Sequence, residues 1–204
     1  DWSYVTLRTY LQPMGFDTEH CYRLNFNMLT PQSDLYDPKQ TPEDNMQALL
    51  DITERLRHRP GVEYVAISQN SAPYNDGANG FSLYVDSVRV NCKQRWAQPD
   101  FFRLFGYRAV AVRTDDGRTV YTNSTDSLAD CVDLNARKVI VSRNYVSEKL
   151  YPELGMSDAI SLLGQTYACY YPENEFQVQV AGIGEPLRES HFTTSDTWRG
   201  RYIG

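Results

Sequence analysis

Four cysteines, three histidines and a serine between a strand and a helix are the side chains that could do chemistry in this chain. Cys21, Cys92, Cys131 and Cys169 lie far apart, so no Cys-x-x-Cys metal or redox motif exists. An even count fits two disulfides in an oxidising compartment, and equally four buried thiols. Spacing leaves both open. His20, His58 and His191 show no His-x-x-x-His or carboxylate–His spacing, so a zinc site is not expected. His58 falls at a helix C-terminus, where a cation is favourable in any case. Ser142 lacks the Gly-x-Ser-x-Gly frame of a nucleophile elbow. Its expected role is an N-cap, worth about 1 kcal/mol. The cysteines have no sequence-adjacent His, and a spatially assembled Ser or Cys hydrolase stays as a weaker alternative.

The remaining motifs have plainer readings. Gly182-x-Gly184 is not followed by the rest of a dinucleotide fingerprint. Asp115-Asp116 precedes Gly117, which favours a turn over a calcium loop. Asn123-Ser124-Thr125 matches the glycosylation pattern, one that arises often by chance. Glu43, Asp44, Asp51 and Glu54 form a solvated helix face. The expectation is no catalytic residue, no cofactor and no metal.

Bulk properties bound the rest. A chain of 204 residues can bury a real core without metals or disulfides. It is 41% hydrophobic and 23% charged, hence globular. Net charge is −6 and the basic residues are scattered, which excludes nucleic acid as an expected partner. No run of about 18 apolar residues spans a membrane. The chain starts at Asp1 with no Met and no signal peptide, so it reads as a fragment of a longer protein. Fifteen tyrosines alternate largely with apolar residues, as half-buried strand positions do, and a ligand-stacking surface is the alternative.

The elements follow from periodicity. Trp2, Tyr4, Leu7, Tyr10 and Leu11 have helical spacing before Pro13 and Gly15. Beside a membrane such a segment could sit at the interface; an ordinary packing helix or a frayed end is the simpler expectation. Cys21 to Met28 alternates as a strand. Thr41, Pro42, Glu43 and Asp44 open a helix that Pro60-Gly61 stop. Val62 to Ile67 is the next strand, completing a β-α-β unit. Phe81–Val85 and Val88–Cys92 suggest a hairpin, and Pro99 to Gly106 a short aromatic helix. Residues 109–113 and 118–121 suggest two strands about Asp115-Asp116-Gly117, with a short helix near Leu128. Strand 138–141 leads into helix 143–151, and Tyr167–Tyr171 pairs with Phe176–Val180. After Gly184 the chain reads as loop.

Several segments, in order, resemble the MacB-like periplasmic core domain of FtsX-type ABC transporter permeases. They are Glu19-His-Cys-Tyr-Arg23, Leu56 to Val62, Asp100-Phe-Phe-Arg-Leu-Phe-Gly106, Val139-Ile-Val-Ser142, Leu150-Tyr-Pro152, Leu163-Gly-Gln165 and Val180-Ala-Gly-Ile183. Residues 107–137 depart from the family pattern. No capped helix after residue 184 supplies the family's second β-α-β unit. The resemblance implies an α+β fold with two lobes: a β-α-β porter-like half lobe (19–72) after a juxtamembrane lead-in (1–18), and a small mixed α/β extracytoplasmic lobe (73–204). Without the second half, strands 21–28 and 62–67 would leave an unpaired edge or uncovered face.

The resemblance further implies a passive relay of ATP-driven change to a periplasmic substrate or partner, on the periplasmic side of the bacterial inner membrane. The partners would be flanking transmembrane helices, an ABC ATPase that performs the hydrolysis, a periplasmic adaptor, and a second permease copy. A periplasmic location would favour disulfides, with Cys131–Cys169 and Cys21–Cys92 as the pairings among three possible. The competing reading is a secreted or surface-anchored module that binds glycans or peptides.

Overall fold

The computed structural model describes residues 2–26, 29–69, 71–74, 79–85, 88–132, 137–143, 158–169, 176–186, 188 and 201–203. Its helices are α1 (Trp2–Tyr10), α2 (Pro42–Arg57), α3 (Pro99–Phe105) and α4 (Thr125–Ala129). Its strands are β1 (Ser68–Gln69), β2 (Asn79–Val85), β3 (Val88–Ala97), β4 (Ala109–Arg113), β5 (Thr119–Tyr121), β6 (Lys138–Ser142), β7 (Thr166–Cys169), β8 (Gln177–Gly184) and β9 (Arg201–Ile203). A 3-10 turn covers Ala159–Leu162. The fold class is α+β.

Strand order is β5-β4-β8-β6-β9-β3-β2-β7, and β7 also pairs β8. Six strands therefore close on themselves, with β4 and β5 added beside β8. Most pairs are antiparallel; β6–β8 and β3–β9 are parallel. One edge of β8 is shared, Gln177–Gln179 facing β7 and Gly182–Gly184 facing β4. The register shifts between Val139 and Ile140 against β8, a bulge that bends the strand pair.

The core has two faces because side chains alternate along β6 and β8. Val139, Val141, Val178, Val180 and Ile183 join Leu83, Val85, Leu162 and Cys169 in one cluster. Ile140 and Ala181 point the other way and pack with Phe101, Phe102, Tyr107, Leu128 and Cys131. Helices α3 and α4 cover that second face. Gly182 allows the approach: a Cβ there would meet Leu128 Cδ1 at 3.2 Å, Ile140 Cγ1 at 3.4 Å and Cys131 Sγ at 3.5 Å. Close helix–strand packing is thus the use of this glycine.

The N-terminal third differs from the expected β-α-β unit. Helix α2 forms as its signals require: Thr41 accepts from the Asp44 N–H, and the Asp44 carboxylate accepts in return from the Thr41 N–H. These bonds from Thr41 hold the Asp44 carboxyl below its usual range. Residues 21–26, however, carry no regular secondary structure and no strand partner among the described residues, and Asn27 and Met28 lie outside those residues. Residues 62–67 are likewise without regular secondary structure, and pairing starts only at β1, against Trp96 and Ala97. Alternation alone does not make a strand: a ladder needs a neighbour for its N–H and C=O groups, and none is present for 21–26 among the described residues.

The hairpin β2–β3 and the pairs β4–β5 and β7–β8 form as expected. Helix 143–151 lies outside the described residues beyond Arg143, and so does the cap expected of Ser142. Strand β9 corrects the loop expected after Gly184: Arg201–Ile203 inserts between β3 and β6.

Candidate functional site: the junction at helix α3

Helix α3 is where the N-terminal segments meet the sheet. Gln98 provides an extended N-cap backbone and Pro99 the first helical position, where no N–H is needed. Gly106 ends the helix at φ 61°, a left-handed conformation cheap only for glycine. Phe101 and Phe102 are fully buried. Phe101 stacks on Tyr107 at 5.3 Å between centroids and meets Phe105 edge-on at 5.0 Å. Phe16 completes the cluster, 6.2 Å from Tyr107 and 5.5 Å from Tyr74.

Backbone contacts attach the outer segments to both ends of this helix. The Asp17 N–H donates to Phe105 O at 2.8 Å, and Cys21 Sγ donates to Leu104 O at 3.5 Å. At the other end the Gln98 N–H donates to Ile67 O at 3.3 Å, and the Ile67 N–H to Gln98 Oε1 at 3.1 Å. Ser71 Oγ donates to Trp96 O at 2.8 Å.

A chain of ion pairs runs across the same helix. Arg57, at the end of α2, donates to Asp100 Oδ2 at 3.4 Å and to Val65 O at 3.2 Å. Asp100 Oδ1 then accepts from Arg103 Nη1 at 3.1 Å. Arg103 continues to α4, reaching Asp126 Oδ1 at 2.7 Å and Asp130 Oδ1 at 3.2 Å. Bonding to Asp126 and Asp100 pushes the Arg103 guanidinium further into its charged form. Each such surface pair contributes little, about 0.5 kcal/mol, and is screened by salt. Their geometric effect is larger: one guanidinium fixes α4 against α3, and one carboxylate fixes α2 against α3.

The three cysteines whose side chains are described are free thiols. Cys131, on the helix-covered face, donates to Ser127 O at 3.3 Å and Ala181 O at 3.4 Å. Cys169, in the opposite cluster, donates to Phe176 O at 3.2 Å. Burial pushes each thiol up to about 11. Cys131 and Cys169, the expected pair, are both free in the structure and belong to different core clusters. Cys21 is free as well, raised first by burial and then by Asp17. The side chain of Cys92 lies outside the described residues, and with it the Cys21–Cys92 pairing.

The other singled-out residues stay dispersed. His58 sits beside Glu54 at 3.1 Å at the end of α2, and His20 beside Glu19 at 3.5 Å. His191 lies outside the described residues. Asp116 pairs with Arg118 at 2.6 Å, and its carboxyl is lowered chiefly by Thr114, as in a closed turn. Asn123 is exposed and Ser124 caps α4 through the Ser127 N–H. Among the described residues no group of three or more His, Cys, Asp or Glu could hold a metal ion, and no helix is long and apolar enough to cross a membrane. The Arg57–Asp100–Arg103–Asp126/Asp130 chain escaped sequence reasoning. Its legible trace was spacing: Asp100 and Arg103 at i,i+3 put an ion pair on one helix face, and Asp126 and Asp130 at i,i+4 put two carboxylates on another.

No family model matches the chain, and no curated protein does. Among solved structures it is similar to the extracellular domain of the noncanonic ABC-type transporter YknZ from Gram-positive bacteria. That match has 11% identity and a TM-score of 0.43, covering 75% of this chain and 59% of that one. It is also similar to a domain of a protein described as a permease from Porphyromonas gingivalis. There the identity is 16% and the TM-score 0.43, over 74% of this chain and 54% of that one. The chain thus matches little more than half the length of either structure.

Proposed function

We propose that this chain is an extracytoplasmic domain of a MacB-like, FtsX-type ABC transporter permease, and that it relays conformational change without catalysing a reaction. One observation carries the reading. Four of the blocks that resemble the family come together in space. Val139–Ser142 is in β6, Val180–Ile183 is in β8, and these two strands pair in parallel. The Gly164 N–H donates to Val180 O at 2.7 Å and the Val180 N–H to Gln165 O at 2.9 Å. The aromatic block Asp100–Gly106 falls on α3, packed on the far side of Ala181. Segments matched separately along the chain so make one contiguous core.

In this reading the partners are membrane helices flanking the domain, an ABC ATPase, a periplasmic adaptor or substrate, and a second permease copy. The working part is the α3 junction. A lever needs stiff joints, and interdigitated aromatics with crossing ion pairs make one. The first lobe would be completed by a further β-α-β segment. Supporting this, residues 21–26 and 62–67 run without strand partners among the described residues, and Met46, Leu50 and Ile52 of α2 are exposed. A glycan- or peptide-binding module is the second reading, favoured by exposed Tyr22 and by Tyr121 on edge strand β5.

The test is Arg103→Glu in the intact transporter. Transport should fall while ATP hydrolysis persists, because the charge reversal repels Asp100, Asp126 and Asp130. Unchanged transport, or an intact polypeptide without bilayer-crossing helices around this region, would overturn the relay. Tyr121-dependent retention on a glycan or peptide array would favour the second reading.

A further inference from the structure

Strand β5 is the free edge of the strand order, paired with β4 alone. The Thr114 N–H donates to Arg118 O at 2.9 Å and the Thr122 N–H to Val110 O at 3.3 Å. Bonded and non-bonded pairs alternate along an antiparallel ladder, so Val112 and Val120 are the bonded pair between those two. The N–H and C=O groups of Thr119 and Tyr121 therefore point away from β4, and they meet no partner among the described residues. Val120 and Tyr121 are exposed. The register sets Arg113 opposite Thr119 on one face of the ladder. Its guanidinium is held there: Nη1 donates to Thr119 Oγ1 at 3.2 Å. Gly164 and Gly117 make room for it, since an added Cβ would come within 2.9 Å of Nε at the first and 3.7 Å of Nη2 at the second. Arg113 makes no ion pair among the described residues. The described carboxylates that flank β5 in the chain are already taken: Asp115 by Lys138 at 3.4 Å, Asp116 by Arg118 at 2.6 Å, and Asp126 and Asp130 by Arg103.

We propose that β5 is a docking edge for an extended, acidic segment of a partner protein, which adds as a further strand and sets a carboxylate on Arg113. Two recognition elements coincide here. Outward N–H and C=O groups at alternate residues are what an added strand bonds to. A side chain of that strand opposite Thr119 falls on the face that carries Arg113, and a guanidinium takes a carboxylate through two parallel bonds. Only Nη1 of Arg113 is engaged among the described residues, which leaves Nη2 for the incoming group. A neutral or basic segment would leave this charge unanswered. A second copy of the chain is the poorer occupant: Thr119-Val120-Tyr121 has no acidic residue to bring to Arg113, and each copy carries a net charge of −6. The edge stands on its own geometry. Only the kind of partner, a periplasmic adaptor or substrate, rests on the relay reading.

The experiment is titration of the 204-residue chain with a short fluorescent peptide of alternating valine and threonine around a central glutamate, read by anisotropy and by amide hydrogen exchange. Binding is expected and should weaken in high salt. It should slow exchange of the Thr119 and Tyr121 amides and leave that of Val120, already bonded to β4, little changed. The twin peptide with lysine for glutamate should bind about tenfold more weakly, and so should the glutamate peptide to Arg113→Gln. Tyr121→Pro removes an outward N–H at an edge position, where proline is tolerated, and should abolish binding. Of two peptides methylated on alternate backbone nitrogens, one should bind and the other should not, because every second N–H faces β5. That comparison needs no change in the protein. Unbound glutamate peptide, unprotected Thr119 and Tyr121 amides in the complex, or equal binding of the glutamate and lysine peptides would overturn the proposal. So would a sedimentation-detected dimer that Tyr121→Pro dissolves. No peptide binding alongside a transporter disabled by Arg103→Glu sinks the edge proposal alone. Peptide binding alongside a transporter insensitive to Arg103→Glu sinks the relay alone.

Discussion

The sheet-borne part of this molecule and its N-terminal third use apolar residues in opposite ways. Around β6 and β8, valines, isoleucines and phenylalanines are almost wholly enclosed on both faces. In residues 2–67 the comparable side chains, among them Leu7, Leu24, Phe26, Met46 and Leu50, are exposed. Composition does not separate the two regions; neighbours do. A strand flanked on both edges and covered on both faces has every backbone and side-chain demand met within the chain. A segment with the same alternation and no neighbour does not. The difference teaches that the sheet is built to be self-sufficient and that the N-terminal third presents surfaces suited to something adjacent.

The strongest way to sharpen that contrast is a pair of truncations. Phe102→Ala should cost about 3–5 kcal/mol, since it empties a fully enclosed site. Met46→Ala on α2 should stay within about 0.5 kcal/mol. Equal losses in urea unfolding would erase the distinction between the regions. Next in size, Gly182→Val should destabilise by about 1–3 kcal/mol by forcing a side chain against Leu128, Ile140 and Cys131.

A pH experiment comes third and probes both faces of the sheet. The thiols of Cys131 and Cys169 are raised to about 11 in the folded state from 9.0. The unfolded chain therefore releases these protons first as pH rises. Stability from the buried neutral thiols is whole below about pH 9 and is lost between there and about 11, by about 2–3 kcal/mol per thiol at most. Unfolding at stepped pH should show this slope, and a Cys131→Ala, Cys169→Ala variant should flatten it. The same burial predicts that neither thiol reacts with a soluble disulfide reagent until the protein unfolds. Fast labelling of both in the native state would contradict that enclosure.

The smallest effects lie at the junction. Ser124→Ala removes the cap of α4 and should cost about 1 kcal/mol. A double-mutant cycle on Arg103 and Asp126 should give a coupling of about 0.5 kcal/mol that shrinks with salt. A coupling unaffected by salt would place the pair in a drier setting than its exposed aspartate allows.

Much of this was legible in the residues. Helix α2 was marked at both ends by Thr41, Pro42 and Pro60-Gly61, because capping and proline chemistry are local. Strand β6 was marked by an apolar run, the first half of β8 by its alternation, and α3 by Pro99 and Gly106. Strand 21–28 was misjudged because alternation reports what one face would bury, not whether a partner exists. Strand β9 was invisible because three residues carry no period, and its position is decided by β3 and β6. The ion chain through Arg103 was hidden for a related reason: its members come from three helices, and only tertiary contact joins them.

The placement of β9 has a consequence for how this domain is made. Arg201–Ile203 is wedged between β3 and β6, parallel to one and antiparallel to the other. The ring of strands therefore lacks its last stave until Ile203 has emerged. Until then β3 and β6 each show a bare border, open to the wrong neighbour. Assembly must be late and long-range, with premature pairing as its natural hazard.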